Sequence, residues 1–268
     1  MNTNKTINAD VFILARLDST RLPKKQLSKI DGIPVLKLLI NRIKFAKKFR
    51  KIIVCTTTRD TDEPLIEFLE KEKIEYFRGS EKDILDRLLS AAKFFQTDII
   101  IDVQGDKIYT DPKYIDKVID KLKESDIDFI SGSDNSKTFN PLDHFIHGII
   151  PCGYKTSILE KICNLKNTND TETGYLEMFF AKNLANIDYV QLEEKSKIAR
   201  KIRLTLDYEE DLNLAREVFS RLEINFSVDE LLDLFEKNPK LLEITKPLIE
   251  KWNTNYRKNL MDFSMKNG

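Results

Sequence analysis

Val11-Phe-Ile-Leu-Ala-Arg-Leu-Asp-Ser-Thr-Arg-Leu-Pro-Lys-Lys25 begins as a five-residue apolar run and continues as a loop with four cations in ten residues, Arg16, Arg21, Lys24 and Lys25. The apolar part, Val11 to Ala15, suits a strand buried on both faces. Outward from it, strands and helices alternate. Pro34 opens a helix whose Leu36, Leu39, Ile40, Ile43 and Ala46 share one face, and Lys51 to Thr56 follows as a strand. Asp60 to Lys71 is expected to be helical, Ile74 to Phe77 a short strand, Asp83 to Phe95 a helix, and Asp98 to Val103 a strand buried on both faces. Strands separated by helices of this length imply βαβ units, hence an α/β chain with a mainly parallel, doubly wound sheet.

The second half is less regular. Asp111-Pro112 is expected to cap a helix running to about Lys123, with strands at Ile127 to Ser131 and Phe145 to Ile150. A helix is expected over Thr156 to Cys163, an exposed polar loop over Asn164 to Thr173, and a helix over Gly174 to Leu184. Strands at Tyr189 to Leu192 and Ile202 to Leu206 follow, and beyond Tyr208 the chain is nearly all helix until a polar stretch from Asn253 that is expected to fray. No linker divides the chain. Residues 1–250 therefore read as one domain with a sub-structure inserted at about 135–200, and 251–268 as a polar tail.

Composition narrows the function classes. With 41% hydrophobic and 33% charged residues, a chain of 268 residues is of the soluble globular kind. Its 44 basic and 44 acidic residues cancel, which argues against a nucleic-acid partner but leaves room for a local phosphate pocket. Three cysteines (Cys55, Cys152, Cys163) without Cys-x-x-Cys spacing read as thiols of a reducing compartment. Two histidines, His144 and His147, exclude a His-rich metal site and read as ordinary structural residues. No apolar run approaches the ~18 residues of a membrane helix or the ~7–15 of a signal-peptide core, so the expected location is cytoplasmic, with no membrane partner.

In open α/β sheets, ligands bind at the carboxyl ends of the strands. The loop Arg16 to Lys25 has neither Gly-x-Gly-x-x-Gly nor Gly-Lys-Ser/Thr. It offers cations, backbone amides, Ser19 and Thr20, which suits a polyphosphate; the plain alternative is a solvated basic loop. Thr56-Thr-Thr58 places hydroxyls at a strand end, fit for a ribose or base edge or for nothing beyond the strand. In Gln104-Gly105-Asp106, the glycine lets backbone approach a ligand and the acid suits Mg²⁺, unless it only caps a turn. Asp207 ends another apolar run, and Glu209, Glu210 and Asp211 read as charge at a helix N-terminus. A doubly wound sheet would bring Asp106 and Asp207 together.

At these residues the chain resembles a known family. Ala15-Arg-Leu-Asp-Ser-Thr-Arg-Leu-Pro-Lys-Lys25 looks like the N-terminal signature of the cytidylyltransferases that make CMP-activated sugars, most of all the spore-coat polysaccharide (SpsF-type) branch, itself similar to CMP-Kdo and CMP-acylneuraminate synthetases. Val54-Cys-Thr-Thr-Thr58, Phe77-Arg-Gly-Ser-Glu-Lys-Asp-Ile-Leu-Asp-Arg87, Val103-Gln-Gly-Asp106 with Asp111-Pro112, Leu204-Thr-Leu-Asp-Tyr-Glu-Glu-Asp211 and Asn238-Pro-Lys-Leu-Leu242 match further motifs in order, over about residues 10–245. The resemblance implies a Rossmann-like (GT-A-like) three-layer nucleotidyltransferase fold with a mostly parallel central sheet, an inserted dimerisation or acceptor region and C-terminal helices. It implies CTP as donor, a sugar or sugar-acid acceptor, Mg²⁺ as cofactor and a homodimer. By position, it assigns Arg16, Lys25 and Asp106 to catalysis, Ala15, Arg16, Ser19, Arg21, Lys25, Thr57, Ser80 and Gln104 to the nucleotide, and Asp106 and Asp207 to the metal.

The chain departs from the family pattern at four places. Lys24 stands where glycine is usual before the loop lysine, and Asp18 replaces a common glycine. Lys107-Ile-Tyr109 replaces Cys-Pro-Leu, with Lys107 placed to pair with phosphate or with Asp106. Phe145 to Ile158 lacks the acidic pattern expected after Pro-x-Gly. The alternatives are a nucleotidyltransferase of the same fold with another base or with a phosphorylated or non-sugar acceptor, and a non-catalytic nucleotide-binding relative, to which Lys24 and Lys107 point.

Overall fold

The computed structural model describes residues 6–132, 146–172, 174–190, 192 and 202–255. Strand β1 (Ala9–Leu14) lies inside a seven-stranded sheet. A short hairpin of β2 (Lys29–Ile30) and β3 (Ile33–Pro34) follows it, turned by Asp31 and Gly32, both at positive φ. Helix α1 (Val35–Ile43) leads to β4 (Ile52–Thr57), α2 (Glu63–Lys71) to β5 (Glu75–Gly79), and α3 (Ile84–Phe95) to β6 (Ile99–Gln104). β4 and β6 flank β1 in parallel, and β5 is parallel to β4 at one edge. Alternate residues of β1 serve opposite layers: Val11 and Ile13 pack with α1, α2 and α4 (Pro112–Glu124), while Phe12 packs with α3. This period of two is what makes an apolar run with no polar alternation a central strand.

The far side of the sheet differs from the sequence expectation. β7 (Phe129–Ser131) is in the sheet, but among the described residues β8 covers only Ile146–His147 and does not run on to Ile150, because Gly148 turns the chain at φ 103°. The strand filling the gap is β9 (Cys152–Lys155), which runs antiparallel between β6 and β7 and had no clear sequence signal. Its Gly153 is sterically required: a Cβ there would lie 2.3 Å from Val118 Cγ1 of α4. After α5 (Thr156–Leu165), a 3₁₀ segment covers Glu177–Asn183, where an α-helix was expected, and β10 (Ile187–Tyr189) forms the edge beside β7. The strand expected over Ile202 to Leu206 shortens to β11 (Ile202–Arg203) and pairs with β8, outside the central sheet.

α6 (Glu209–Phe219), α7 (Val228–Lys237) and α8 (Lys240–Glu243) complete the core, as expected of the chain beyond Tyr208. Arg42 fastens them. Its buried guanidinium donates to the carbonyls of Thr110, Ile224 and Phe226 and lies 3.7 Å over the Phe226 ring. Burial pushes its pKa down to about 10, so it keeps its charge at neutral pH. Residues 246–255 are helical too, so the described part of the expected tail is docked: Trp252 packs 5.4 Å from the His147 ring and 5.7 Å from the Arg203 guanidinium. His144 with the rest of 133–145, residues 173, 191 and 193–201, and residues 256–268 lie outside the described residues. No disulfide joins the three cysteines.

Candidate active site

The carboxyl ends of β1 and β6 open into a cleft of about 410 Å³. Ala15, Arg16, Asp18, Ser19, Thr20, Arg21 and Lys25 line one wall, Gln104, Gly105 and Asp106 the floor, and Asp207 the far side. The loop between β1 and β2 is held from beneath. Asp62, at the start of α2, accepts from Leu17 N at 2.7 Å through one oxygen and from the hydroxyls of Thr56 and Thr57 through the other. Lys24 N then closes the loop on Leu17 O at 3.1 Å. Lys24 itself has φ 55° and ψ 27°, left-handed backbone that costs a non-glycine residue about 1–2 kcal/mol.

Lys25 joins three segments that are far apart in sequence. Its Nζ lies 2.9 Å from Asp106 Oδ2, 2.9 Å from Leu206 O and 3.5 Å from Asp207 Oδ1. Two carboxylates that share one ammonium are separated by no more than the sum of their distances to it. The lysine was expected on a surface loop, yet it is 8% exposed. Burial alone lowers its pKa, but the attraction of Asp106 and Asp207 outweighs this and leaves it raised. Asp207 balances the same forces with opposite signs: burial raises its pKa, and Lys25, Arg21 and Arg203 bring it below the usual carboxylate range.

Asp106 and Asp207 meet, but not as two ends of one sheet. Asp106 follows β6. Asp207 arrives because the chain after β11 makes one more bond to β8, Leu204 N to His147 O at 2.8 Å, and then crosses to the end of β6, Leu206 N to Asp106 O at 3.0 Å. The approach passes over Gly148, where a Cβ would lie 2.2 Å from Leu204 O. Asp211 then fixes the turn by accepting from the backbone N–H of Asp207 and Tyr208 at 2.8 and 2.9 Å. Glu209, Glu210 and Asp211 form the acidic first turn of α6, as the sequence led one to expect.

Arg16 and Arg21 are also held by carboxylates. Arg21 Nη2 lies 2.7 Å from Asp207 Oδ1. Arg16 reaches Asp18 at 3.0 Å and Glu172 at 2.7 Å, and Glu172 also takes Arg59 at 2.9 Å. Glu172 comes from the segment expected to be an exposed loop. The segment is largely exposed, as expected, but its end is anchored: Thr171 is fully buried, accepts from Leu85 N at 3.2 Å and donates to Asp83 Oδ1 at 3.0 Å.

The sequence matches the cytidylyltransferase family over residues 11–247. The chain belongs to the cytidylyltransferase family. The spore coat polysaccharide biosynthesis protein SpsF of Bacillus subtilis is 26% identical over 243 residues, 87% of this chain and 96% of that one. The 3-deoxy-manno-octulosonate cytidylyltransferase of Chlorobium limicola is 33% identical over 113 residues, 41% of this chain and 44% of that one. Among solved structures, a cytidylyltransferase of Leptospira borgpetersenii superposes with a TM-score of 0.77 at 27% identity, covering 88% of this chain and 97% of that one. The mostly parallel seven-stranded sheet with flanking helices is thus the nucleotidyltransferase fold.

Several residues of this cytidylyltransferase stand elsewhere than their motifs led one to expect. Thr57 is fully buried and does not line the cleft; its hydroxyl serves Asp62 and, through it, the loop backbone. Ser80 does not line the cleft either. Its Oγ accepts from Asp83 N at 3.1 Å, and its carbonyl accepts from Arg87 Nη1 at 2.9 Å. Gly105, on the cleft floor, is also required by its neighbour strand, because a Cβ would lie 2.9 Å from Leu14 O. Lys107 is buried off the cleft, where its charge acts on Asp102 and Cys152.

The cleft also gathers residues that sequence reasoning missed: Gln26, Ile84, Arg87, Glu172 and Tyr175. Arg87 carries a signal in retrospect. It lies three residues after Ile84 and four before Ala91, so a cation occupies the inward face of α3. It is 4% exposed, its Nε has no partner, and burial followed by the nearby Arg16 lowers its pKa. Its guanidinium stands at the cleft wall, where it is suited to an anion brought by a ligand.

The acids suit Mg²⁺. That ion takes one or two carboxylates and completes its shell with water and substrate phosphates. Asp106 Oδ1 is buried without a hydrogen-bond partner, and Asp207 lies across Lys25 from it. Among the described residues no group of three His, Cys, Asp or Glu side chains gathers, so Asp106 and Asp207 would be the protein's share of such a shell.

Proposed function

We propose that this cytidylyltransferase transfers CMP from CTP to a sugar or sugar-acid acceptor, by in-line attack of an acceptor oxygen on the α-phosphorus with release of pyrophosphate. The observation that carries this reading is the convergence of Lys25, Asp106 and Asp207 beside the Arg16–Arg21 loop, in a cleft at the ends of β1 and β6. The acceptor class is supported by the polysaccharide and 3-deoxy-manno-octulosonate relatives.

In this reading Arg16, Arg21 and Lys25 receive the β- and γ-phosphates and stabilise the departing pyrophosphate, while Arg87 meets a further anionic group of the ligands. Ala15 and Ser19 border the phosphates, and Gln104 meets the base. Catalysis then consists of positioning and of neutralising charge that grows on the leaving oxygens. Mg²⁺, held by Asp106 and Asp207, would supply further charge neutralisation and a lower pKa for the attacking hydroxyl. We extend the proposal to a homodimer, tested by light scattering. No helix among the described residues is long and apolar enough to cross a membrane, and cytoplasmic residence is our reading, tested by fractionation.

Thermal shift with the four nucleoside triphosphates and Mg²⁺ is the first test, since a ligand that binds only the folded state raises its melting temperature. CTP is expected to stabilise most. Pyrophosphate release is then measured with CTP against a panel of sugars and 3-deoxy sugar acids. Larger stabilisation by ATP or GTP, or no release with any member of the panel, would refute the assignment.

A further inference from the structure

What the Gln104 amide presents to the cleft is decided one layer deeper. Asp102 and Gln104 are two residues apart on β6, so their side chains leave the same face of the strand. Tyr175 spans the two. Its hydroxyl donates to Asp102 Oδ2 at 3.0 Å and accepts from Gln104 Nε2 at 3.3 Å. Tyr154, on β9, donates to the same Oδ2 at 2.9 Å. Asp102, Tyr154 and Tyr175 are all buried, and only Tyr175 and Gln104 reach the cleft wall.

A phenol has one proton, and the one on Tyr175 is committed to the carboxyl group. Its oxygen is left as an acceptor, so only the NH₂ end of Gln104 can meet it. The amide carbonyl is then the end left for the cleft, and a carbonyl selects a ligand that offers an N–H or O–H. The commitment holds in either ionisation state of Asp102. Burial raises its pKa, but a proton held there belongs on Oδ1, which has no other partner, and Oδ2 still receives both phenols.

We propose that Asp102 and Tyr175 are positioning residues that lock Gln104 with its carbonyl toward the cleft, so that the site takes a pyrimidine bearing an exocyclic amine and rejects one bearing a carbonyl at that place. The inference rests on the reading that Gln104 meets the base. Cytosine offers N–H at position 4, whereas uracil, like thymine, offers an oxygen there. A locked carbonyl rewards the first and repels the second. A site built to bond one polar group discriminates well because the wrong ligand leaves a buried group unpaired.

The test measures CTP and UTP affinities by calorimetry, with Mg²⁺, for the full chain and three variants. The unaltered protein is expected to prefer CTP. Tyr175→Phe releases the amide and is expected to lower the CTP/UTP affinity ratio at least tenfold. Asp102→Asn lets an amide donate to Tyr175, turns the phenol proton toward Gln104, and is expected to lower the ratio as well. Tyr154→Phe removes an equally buried hydroxyl from the same carboxyl group and is expected to cost melting temperature without moving the ratio. Should Tyr175→Phe fail to fold, Asp102→Asn decides. An unmoved ratio in Tyr175→Phe or Asp102→Asn overturns the lock, as does an equal fall in Tyr154→Phe or equal binding of CTP and UTP by the unaltered protein. No binding of CTP by the unaltered protein would instead sink the CTP reading itself, so the two failures are distinguishable.

Discussion

Lys25→Met removes the charge that joins the loop, the end of β6 and the start of α6, and keeps most of the side-chain volume. Breaking a buried ion pair by deleting one partner costs about 3–5 kcal/mol, because the remaining charge stays desolvated. Asp207 retains Arg21 and Arg203, and Asp106 is partly exposed, so the lower end, about 3 kcal/mol, applies here. With a urea m-value of about 3 kcal/mol/M, that is a midpoint shift of about 1 M. The pH dependence has a definite sign. The raised pKa of Lys25 means that its contribution is complete below the unfolded value of about 10.4 and fades as pH rises through the folded one. The lowered pKa of Asp207 means that its contribution is complete above the unfolded value of about 3.9 and fades as pH falls through the folded one. The stabilisation is therefore flat between about pH 4 and about pH 10, and the gap between the two proteins narrows in acid. Urea titrations followed by circular dichroism at pH 7 and pH 3 measure it, with the exposed Lys24→Met as control. A midpoint that moves no more than in that control, or a gap that is unchanged in acid, would show that the Lys25 ammonium is solvated and bridges nothing.

Other expectations concern ligands and thiols. Asp106→Asn and Asp207→Asn should abolish pyrophosphate release from CTP while the far-ultraviolet dichroism stays unchanged; near-normal turnover in either would remove that acid from catalysis. Arg16→Ala should weaken CTP binding by about one to two decades in calorimetry, the worth of a charge-assisted contact of roughly 1.5–3 kcal/mol. Glu172→Gln should strengthen the same binding, because the carboxylate that holds Arg16 competes with phosphate; weaker binding would show that Glu172 serves the ligand instead. Burial pushes the Cys163 thiol up to about 11 and that of Cys152 up to about 12, so alkylation at pH 8 should be slow at Cys163 and should await unfolding at the fully buried Cys152 and Cys55. Rapid loss of more than one thiol from the folded protein would contradict that order.

The sequence was most legible where one physical requirement dominates. β1, β4 and β6 are apolar runs because both faces are buried, and α1, α2 and α3 repeat their inward residues at helical spacing, so each was placed within a few residues of its observed bounds. β9 was not, since a four-residue strand around Gly153 owes its place to the approach of α4 rather than to any pattern of its own. In the cleft, the loop cations and the two acids were legible as charge at strand ends. The roles of Thr57 and Tyr175 were not, because Thr57 acts through Asp62 on the distant Leu17 and Tyr175 through Asp102, 73 residues away.

Lys24 shows the difference within one residue. As a letter it is a departure from glycine and an added charge. In the structure it is a left-handed link between Leu17 and a 3₁₀ turn, Lys25–Leu27, that points Lys25 inward. The conformation that glycine accepts freely is kept at a cost of about 1–2 kcal/mol. That cost is met locally, by the bond to Leu17 and by the bridge that Lys25 makes one residue later. Lys24 thus keeps the geometry of the loop and changes only the charge beside it, so this departure alone gives no ground for a non-catalytic relative.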